Sequence, residues 1–243
     1  MIRLFVPDDL AAGRPIALSV TQAHYLRDVM RRSSGDEVAL FNGRHGEWLA
    51  ALGLVERKAV TVVPRTRARA QAPTADLELV IALVKRARLE TIVEKATELG
   101  VRRIRLAITR FTQAERTNVE RLAAIAMEAA EQTGRLDVPE IVAPAKLDAI
   151  LADWPPDRAL IFCDEAGDAT PILGALAAFL RPDALAASIL IGPEGGFSPE
   201  ERAHIRSLAP VIPVSLGPRI LRADTAAIAA LSLWQAALGD WRP

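Results

Sequence analysis

Cysteine is almost absent from this chain of 243 residues: Cys163 stands alone, so no internal disulfide can brace the fold. Histidine is nearly as scarce. The three present, at positions 24, 45 and 204, form no zinc-type cluster with the cysteine, and a metal-free protein is expected. Hydrophobic residues make up 51% of the chain but fall in runs of fewer than ten, well short of the ~20 apolar residues that span a bilayer. Residues 1–15 contain Asp8 and Asp9 and no apolar stretch of signal-peptide length, which excludes secretion as a reading and leaves a soluble, cytoplasmic protein as the expectation. Three nucleotide and hydrolase signatures are missing too, since the chain has no G-x-G-x-x-G, no G-x-x-x-x-G-K-[ST] and no G-x-S-x-G. Lysine is the last shortage, with only Lys58, Lys85, Lys95 and Lys146 among 30 cationic residues. Arginine supplies the rest, and its planar fork suits bidentate phosphate contacts, although a genomic bias toward arginine and alanine produces the same composition.

What is present is organised around Ile189–Ala226. Ser188–Ile191 reads as the end of a buried strand, and Gly192-Pro193-Glu194-Gly195-Gly196 directly after it lets backbone N–H groups approach a ligand with no Cβ in the way. Ser198, with Pro199 next and Glu201 three residues on, is a capping box with proline at the first helical position, so a helix starts there. The logic then repeats. Val211–Leu216 is a second short apolar run, Gly217-Pro218 turns the chain, and Asp224 or Thr225 is placed to cap a helix running to Leu238. Two strand-end loops this close in sequence face one place.

Upstream, strand and helix alternate. Leu77–Val84 is a continuous apolar run, Leu89, Ile92, Val93, Ala96 and Leu99 fall at helical spacing before Gly100, and Arg102–Thr109 starts the next strand. Thr117 with Glu120 is placed to cap a helix that runs through Glu128 and Gln132 to Gly134, and Ala159–Phe162 is a buried strand ending at a third loop, Cys163-Asp164-Glu165-Ala166-Gly167. Such alternation predicts helices on both faces of a mainly parallel sheet. Residues 1–70 differ. Short strands at Ile2–Val6, Ile16–Val20, Glu37–Phe41, Trp48–Val55 and Ala59–Val63, with a turn at Asn42-Gly43, predict a small β-barrel. Arg65–Asp76 loses apolar periodicity and gathers Arg65, Arg67 and Arg69, so a basic linker is expected there, dividing the chain into domains 1–70 and 71–243. The formal net charge of zero is split unevenly: residues 1–70 hold eleven Arg or Lys against seven Asp or Glu, a net +4, and the remainder carries −4.

The ordered set Lys85–Val101, Glu128–Gln132, Gly192–Glu201 and Leu216–Ala226 resembles the SPOUT class of S-adenosylmethionine-dependent RNA methyltransferases, and within it the RsmE family, which methylates the ring N3 of a uridine in 16S ribosomal RNA of the small subunit. The text His24…Val29-Met30-Arg31…Gly35-Asp36-Glu37-Val38…Asn42-Gly43 is similar to that family's N-terminal PUA-like RNA-docking domain. The resemblance implies a C-terminal α/β domain threaded as a deep trefoil knot, an exception to the rule that chains avoid knots, behind a PUA-like β-barrel. It implies S-adenosylmethionine as cofactor, no metal, a homodimer, and 16S ribosomal RNA within the small ribosomal subunit as partner. In the glycine loop it puts cofactor contacts on Gly192, Pro193, Glu194 and Gly195. In the later loop they fall on Leu216, Gly217, Arg219, Ile220 and Leu221, then on Thr225 and Ala226, with adenine held by main chain and walled by the apolar side chains. The family pattern after Ile-Leu-Arg is Thr-Glu-Thr-Ala, where this chain has Ala223-Asp224-Thr225-Ala226, a shorter carboxylate.

A sulfonium donor is already activated, so such a protein has only to align donor and acceptor and to manage the acceptor's proton. Arg219 and Arg222 fit the stabilisation of a developing uridine anion, and Glu194 fits the role of base. Lys85 and Arg88 at a strand end, and Arg27, Arg31 and Arg32 in the N-terminal domain, are the candidates for RNA phosphates; each also reads as ordinary surface charge. His24 reads first as a packed or solvent-facing histidine, and Glu165 as either a ribose contact or a solvated loop carboxylate. Two rival functions fit the same residues: a SPOUT enzyme acting on another RNA nucleotide, and a non-catalytic RNA-binding protein of ribosome assembly. Cofactor binding separates the second from the rest.

Overall fold

The structure, a computed structural model, describes residues 1–56, 59–113, 116–165, 168–179, 186–209 and 211–241. The chain divides into two compact units, Met1–Pro73 with Ala130–Val138, and Thr74–Ala129 with Pro139–Pro243.

The first unit contains β1 (Ile2–Phe5), β2 (Ile16–Ala17), α1 (Val20–His24) continued by a π-helical turn over Tyr25–Val29, β3 (Glu37–Phe41), β4 (Glu47–Val55) and β5 (Val60–Arg69). The sheet order is β1-β3-β4-β5-β2, with β1 parallel to β3 and the other pairs antiparallel. Three register shifts interrupt the β4–β5 ladder; bulges of this kind bend strands, which lets a short sheet wrap one core. Alternate residues Val38, Leu40, Ala50, Leu52, Val60 and Val62 fill that core.

Two expectations fail here. Val20 does not end a strand but begins α1, because Ser19 forms a capping box with Gln22, and Val20 itself is 88% exposed. Nor is Arg65–Arg69 a linker. It is the second half of β5, paired with β4 and exposed throughout, so it shows no apolar alternation, and Glu47 holds Arg69 through two hydrogen bonds of 2.9 and 3.0 Å. Segment 130–138 completes the unit. Arg3 donates to the carbonyls of Ala130 and Glu131 at 2.8 and 3.0 Å, pairs with Glu47 at 2.6 Å and lies 4.6 Å from the Phe41 ring centroid. Those carbonyls sit in the last turn of a helix, where four acceptors lack intrahelical donors.

The second unit alternates β6 (Leu77–Ala82), α2 (Arg86–Glu98), β7 (Arg103–Ile108), α3 (Val119–Thr133), β8 (Glu140–Lys146), α4 (Leu147–Ala152), β9 (Ala159–Cys163), β10 (Thr170–Pro171), α5 (Ile172–Phe179), β11 (Ala187–Ile191), α6 (Pro199–Ser207), β12 (Val211–Ser215) and α7 (Ala223–Ala237). Seven strands form one sheet in the order β10-β12-β9-β11-β6-β7-β8, and every pairing is parallel. Val80, Ala107, Leu160, Phe162 and Leu190 share a cluster with Leu147, Leu151 and Ile205 from α4 and α6. The alternating residues Leu79, Ile81, Ile104, Leu106, Ile161 and Ile189 are equally buried, as a sheet covered on both faces requires. Glu78, a carboxylate inside the sheet, is 1% exposed and held by Arg103 and Arg105 at 2.8 Å each.

Helix starts shift slightly from those expected. Asn118 rather than Thr117 caps α3, its Oδ1 accepting from Arg121 N at 2.9 Å. Arg222 holds the N-cap of α7 with no side-chain bond, and Asp224 lies in the first turn, where Arg88 takes its carboxylate. No helix among the described residues is long and apolar enough to cross a membrane.

Candidate active site at the strand ends

Strands β12, β9 and β11 are neighbours, and the loops leaving their C-terminal ends enclose a cavity of about 360 Å³. The chain inserts β11 between β9 and β6, so sequence order reverses there, and the crevice outside the carboxyl ends at such a reversal is where parallel sheets bind ligands.

The glycine loop needs its glycines for two different reasons. A Cβ on Gly192 would come within 2.7 Å of the Phe197 ring, which is fixed edge-on to Phe162 at 5.3 Å, and a Cβ on Gly196 would collide with the Glu165 carboxylate. Gly196 also has φ +70° and donates to Pro193 O at 2.9 Å, closing the turn. The capping box then forms as expected: Glu201 N donates to Ser198 Oγ at 3.2 Å and Ser198 N to Glu201 Oε2 at 2.9 Å. The second loop turns at Gly217, whose φ of +107° excludes β-branched residues although its Cβ position is open.

Most of the expected cofactor positions meet in this cavity: Gly192, Pro193 and Glu194 from one loop, Leu216, Gly217, Arg219, Ile220 and Leu221 from the other, and Ala226 from α7. Arg222 lines it too. Gly195 and Thr225 do not; Gly195 lies against Phe111, and Thr225 is exposed on the first turn of α7. Ile220 is 86% exposed and so borders the mouth rather than packing as a wall. Glu165 lines the cavity, while Ala166 and Gly167 of that third loop lie outside the described residues. Lys85, at the N-cap of α2, is exposed and away from the lining. Arg88, half-buried, donates to both Asp224 oxygens at 3.0 and 3.2 Å and thereby ties α2 to the helix that follows the second loop. The remaining candidates sit in the first unit. Arg27 bonds Asp28 and the Glu56 carbonyl, Arg32 lies 3.9 Å from Asp36, and Arg31 is exposed with φ +51°. His24 meets Asp28 at 2.6 Å.

Sequence reasoning missed the cluster around Asp164, which lines the cavity together with Arg202. Asp164 is 4% exposed and accepts from Arg202 at 2.9 Å and Arg206 at 2.8 Å; its carboxylate raises the Arg202 guanidinium above its ordinary value. Arginines four apart on α6 and an aspartate at a strand end were the available signal. Burial pushes the Cys163 thiol up to about 12, so it stays protonated at neutral pH. Among the described residues no group of three or more His, Cys, Asp or Glu could hold a metal ion.

The family described as "RNA methyltransferase domain" matches residues 70–235, and "RNA methyltransferase PUA domain" matches residues 18–65. The chain belongs to this RNA methyltransferase family. Among curated proteins it is similar to the ribosomal RNA small subunit methyltransferase E of Rickettsia conorii, 31% identical over 95% of this chain and 93% of that protein. The protein of the same description from Synechocystis sp. is 31% identical over 95% and 76%. A putative methyltransferase from Legionella pneumophila, solved in complex with the bound cofactor SAM, matches with TM-score 0.86 at 30% identity over 97% of both chains. The ribosomal RNA small subunit methyltransferase E of Neisseria gonorrhoeae, bound to S-adenosyl methionine, shares the fold with TM-score 0.87 at 24% identity over 97% of both.

Proposed function

We propose that this protein is an S-adenosylmethionine-dependent methyltransferase of the small ribosomal subunit, which methylates the ring N3 of a uridine in 16S ribosomal RNA. The observation that carries the reading is the convergence of three strand-end loops on one cavity with Arg219, Arg222 and Glu194 beside it. Bound there, the cofactor supplies a methyl on an activated sulfonium. The chain's own residues do the rest. Backbone groups of Gly192, Leu216 and Gly217 hold the donor, Arg219 and Arg222 stabilise negative charge developing on the uridine ring, and Glu194 accepts the N3 proton.

The relatives' names motivate the RNA, and the PUA match over residues 18–65 motivates a division of labour: residues 1–70 dock RNA as a PUA-like domain and residues 71–243 perform the transfer, with Lys85 as a further phosphate contact. The fold reading extends to a SPOUT knot threaded through the two loops, and to a cytoplasmic homodimer with its interface beside the cofactor cavities. Small subunits from a strain lacking this gene are the test substrate. Incubated with protein and S-adenosylmethionine in chelator, they gain one methylated uridine detectable by mass spectrometry of the RNA; methylation of another base, or none despite cofactor binding, overturns the reading.

A further inference from the structure

The loop that borders the cofactor cavity also borders a second hollow. This cleft, about 660 Å³, lies at the ends of β7 and β8 against the start of α6, and Arg110, Phe111 and Lys146 line it together with Asp148 and Glu200. It is an open surface cleft rather than an enclosed cavity.

Phe111 is its unusual member. The residue is 45% exposed, and it packs on one side against the glycine loop. A Cβ on Gly195 would fall 3.1 Å from Phe111 Cβ and 3.6 Å from Cγ, so the aromatic side chain rests on the glycine loop where that loop has no side chain of its own. Arg110 N donates to Glu201 Oε1 at 2.7 Å, which ties the preceding residue to the capping box of α6, and the turn is closed by Thr112 N donating to Thr109 O at 3.2 Å. An exposed aromatic side chain beside a nucleotide site offers a stacking platform, because every base presents a π-face. Arg110 and Lys146 are exposed and form no salt bridge among the described residues. Asp148 and Glu200, also exposed, leave acceptors for base N–H groups.

We propose that this cleft is a second RNA subsite, resting on the methyltransferase reading above: an unpaired base adjacent to the target uridine stacks on Phe111, and its phosphates meet Arg110 and Lys146. The glycine loop then touches cofactor on one side and, through Gly195 and Phe111, substrate on the other.

The test compares Phe111→Ala, Phe111→Leu and Phe111→Trp in the full chain, with a ten-nucleotide oligouridylate as the RNA probe and calorimetry for the cofactor. Alanine and leucine should each weaken oligouridylate binding about 5- to 100-fold, tryptophan should retain it, and all three should bind cofactor within about twofold of the parent. The Phe111→Trp protein should lose indole fluorescence on adding oligouridylate and keep it with an abasic strand. Leucine binding RNA as tightly as phenylalanine would overturn the subsite, since apolar packing alone would then suffice. So would cofactor affinity falling in step with RNA affinity, which would reduce Phe111 to a prop for the glycine loop, or a change in assembly mass on Phe111→Ala, which would mean a second copy covers the cleft. Failure of the parent protein to methylate small subunits would instead sink the proposed function, leaving the oligouridylate data to decide the subsite alone.

Discussion

Arginines pair with carboxylates in both units, and the contrast lies between those paired groups and two guanidinium groups at the cavity. In the first unit most arginines are occupied: Arg3 and Arg69 share Glu47, Arg27 bonds Asp28, Arg44 meets Asp9 at 3.0 Å and Arg32 stands near Asp36. In the second unit Arg88, Arg103, Arg202 and Arg206 are occupied too, whereas Arg219 and Arg222 line a cavity and form no salt bridge among the described residues, in a region whose net charge is negative. Summed charge therefore locates a polyanion surface poorly. What matters is which guanidinium groups the fold leaves with donors to spare, since an arginine already bidentate to a carboxylate must lose that partner before it takes a phosphate.

The comparison breaks most sharply at Gly217. Replacing it by valine should cut S-adenosylmethionine affinity about 100-fold by calorimetry, because a β-branched residue at φ +107° strains a loop that lines the cavity; unchanged affinity would place the ligand elsewhere. Next comes the pair that anchors this loop's helix. Asp224→Asn should weaken cofactor binding roughly five- to tenfold, since charge-assisted hydrogen bonds are worth more than neutral ones, and the exchange Arg88→Asp with Asp224→Arg should recover part of the loss. No recovery in the double variant would show that Asp224 acts other than through Arg88.

Smaller effects sharpen the first unit's side. Arg31→Glu should weaken RNA binding a few-fold and reduce the salt slope by about one, as loss of a single phosphate contact does, whereas Arg27→Glu should mainly lower the melting temperature because it faces Asp28. Equal loss of RNA affinity in both would mean that internal pairing does not withhold a guanidinium from RNA. The least effect concerns acid. Burial pushes Glu47 up, but hydrogen bonds from Arg69 and Arg3 outweigh it and hold the carboxylate below its ordinary range. A depressed folded value adds stability that is present above the unfolded value of about 4.3 and is lost as pH falls through the lower folded value. Melting curves of Glu47→Gln should therefore lie below the parent at pH 7 and converge with it toward pH 3; parallel curves would remove Glu47 from the acid response.

Much of the site was legible in sequence because its signals are local. A capping box needs only Ser198, Pro199 and Glu201, and a turn at positive φ needs only Gly217, so both loops could be placed from residues a few positions apart. Register and partnership are not local. The insertion of β11 between β6 and β9, which brings three strand ends to one cavity, depends on parallel pairings far apart in the chain, and a buried strand reads the same whatever its neighbours. The same holds for charge. Sequence alone established that Arg88, Asp224, Arg69 and Glu47 exist and that Asp224 departs from the family pattern, but only tertiary structure decided that they pair, since the partners are contributed by segments whose separation along the chain carries no information about distance in space. Phe111 is the extreme case: one aromatic after a strand, ordinary as text, whose meaning comes from lying against Gly195.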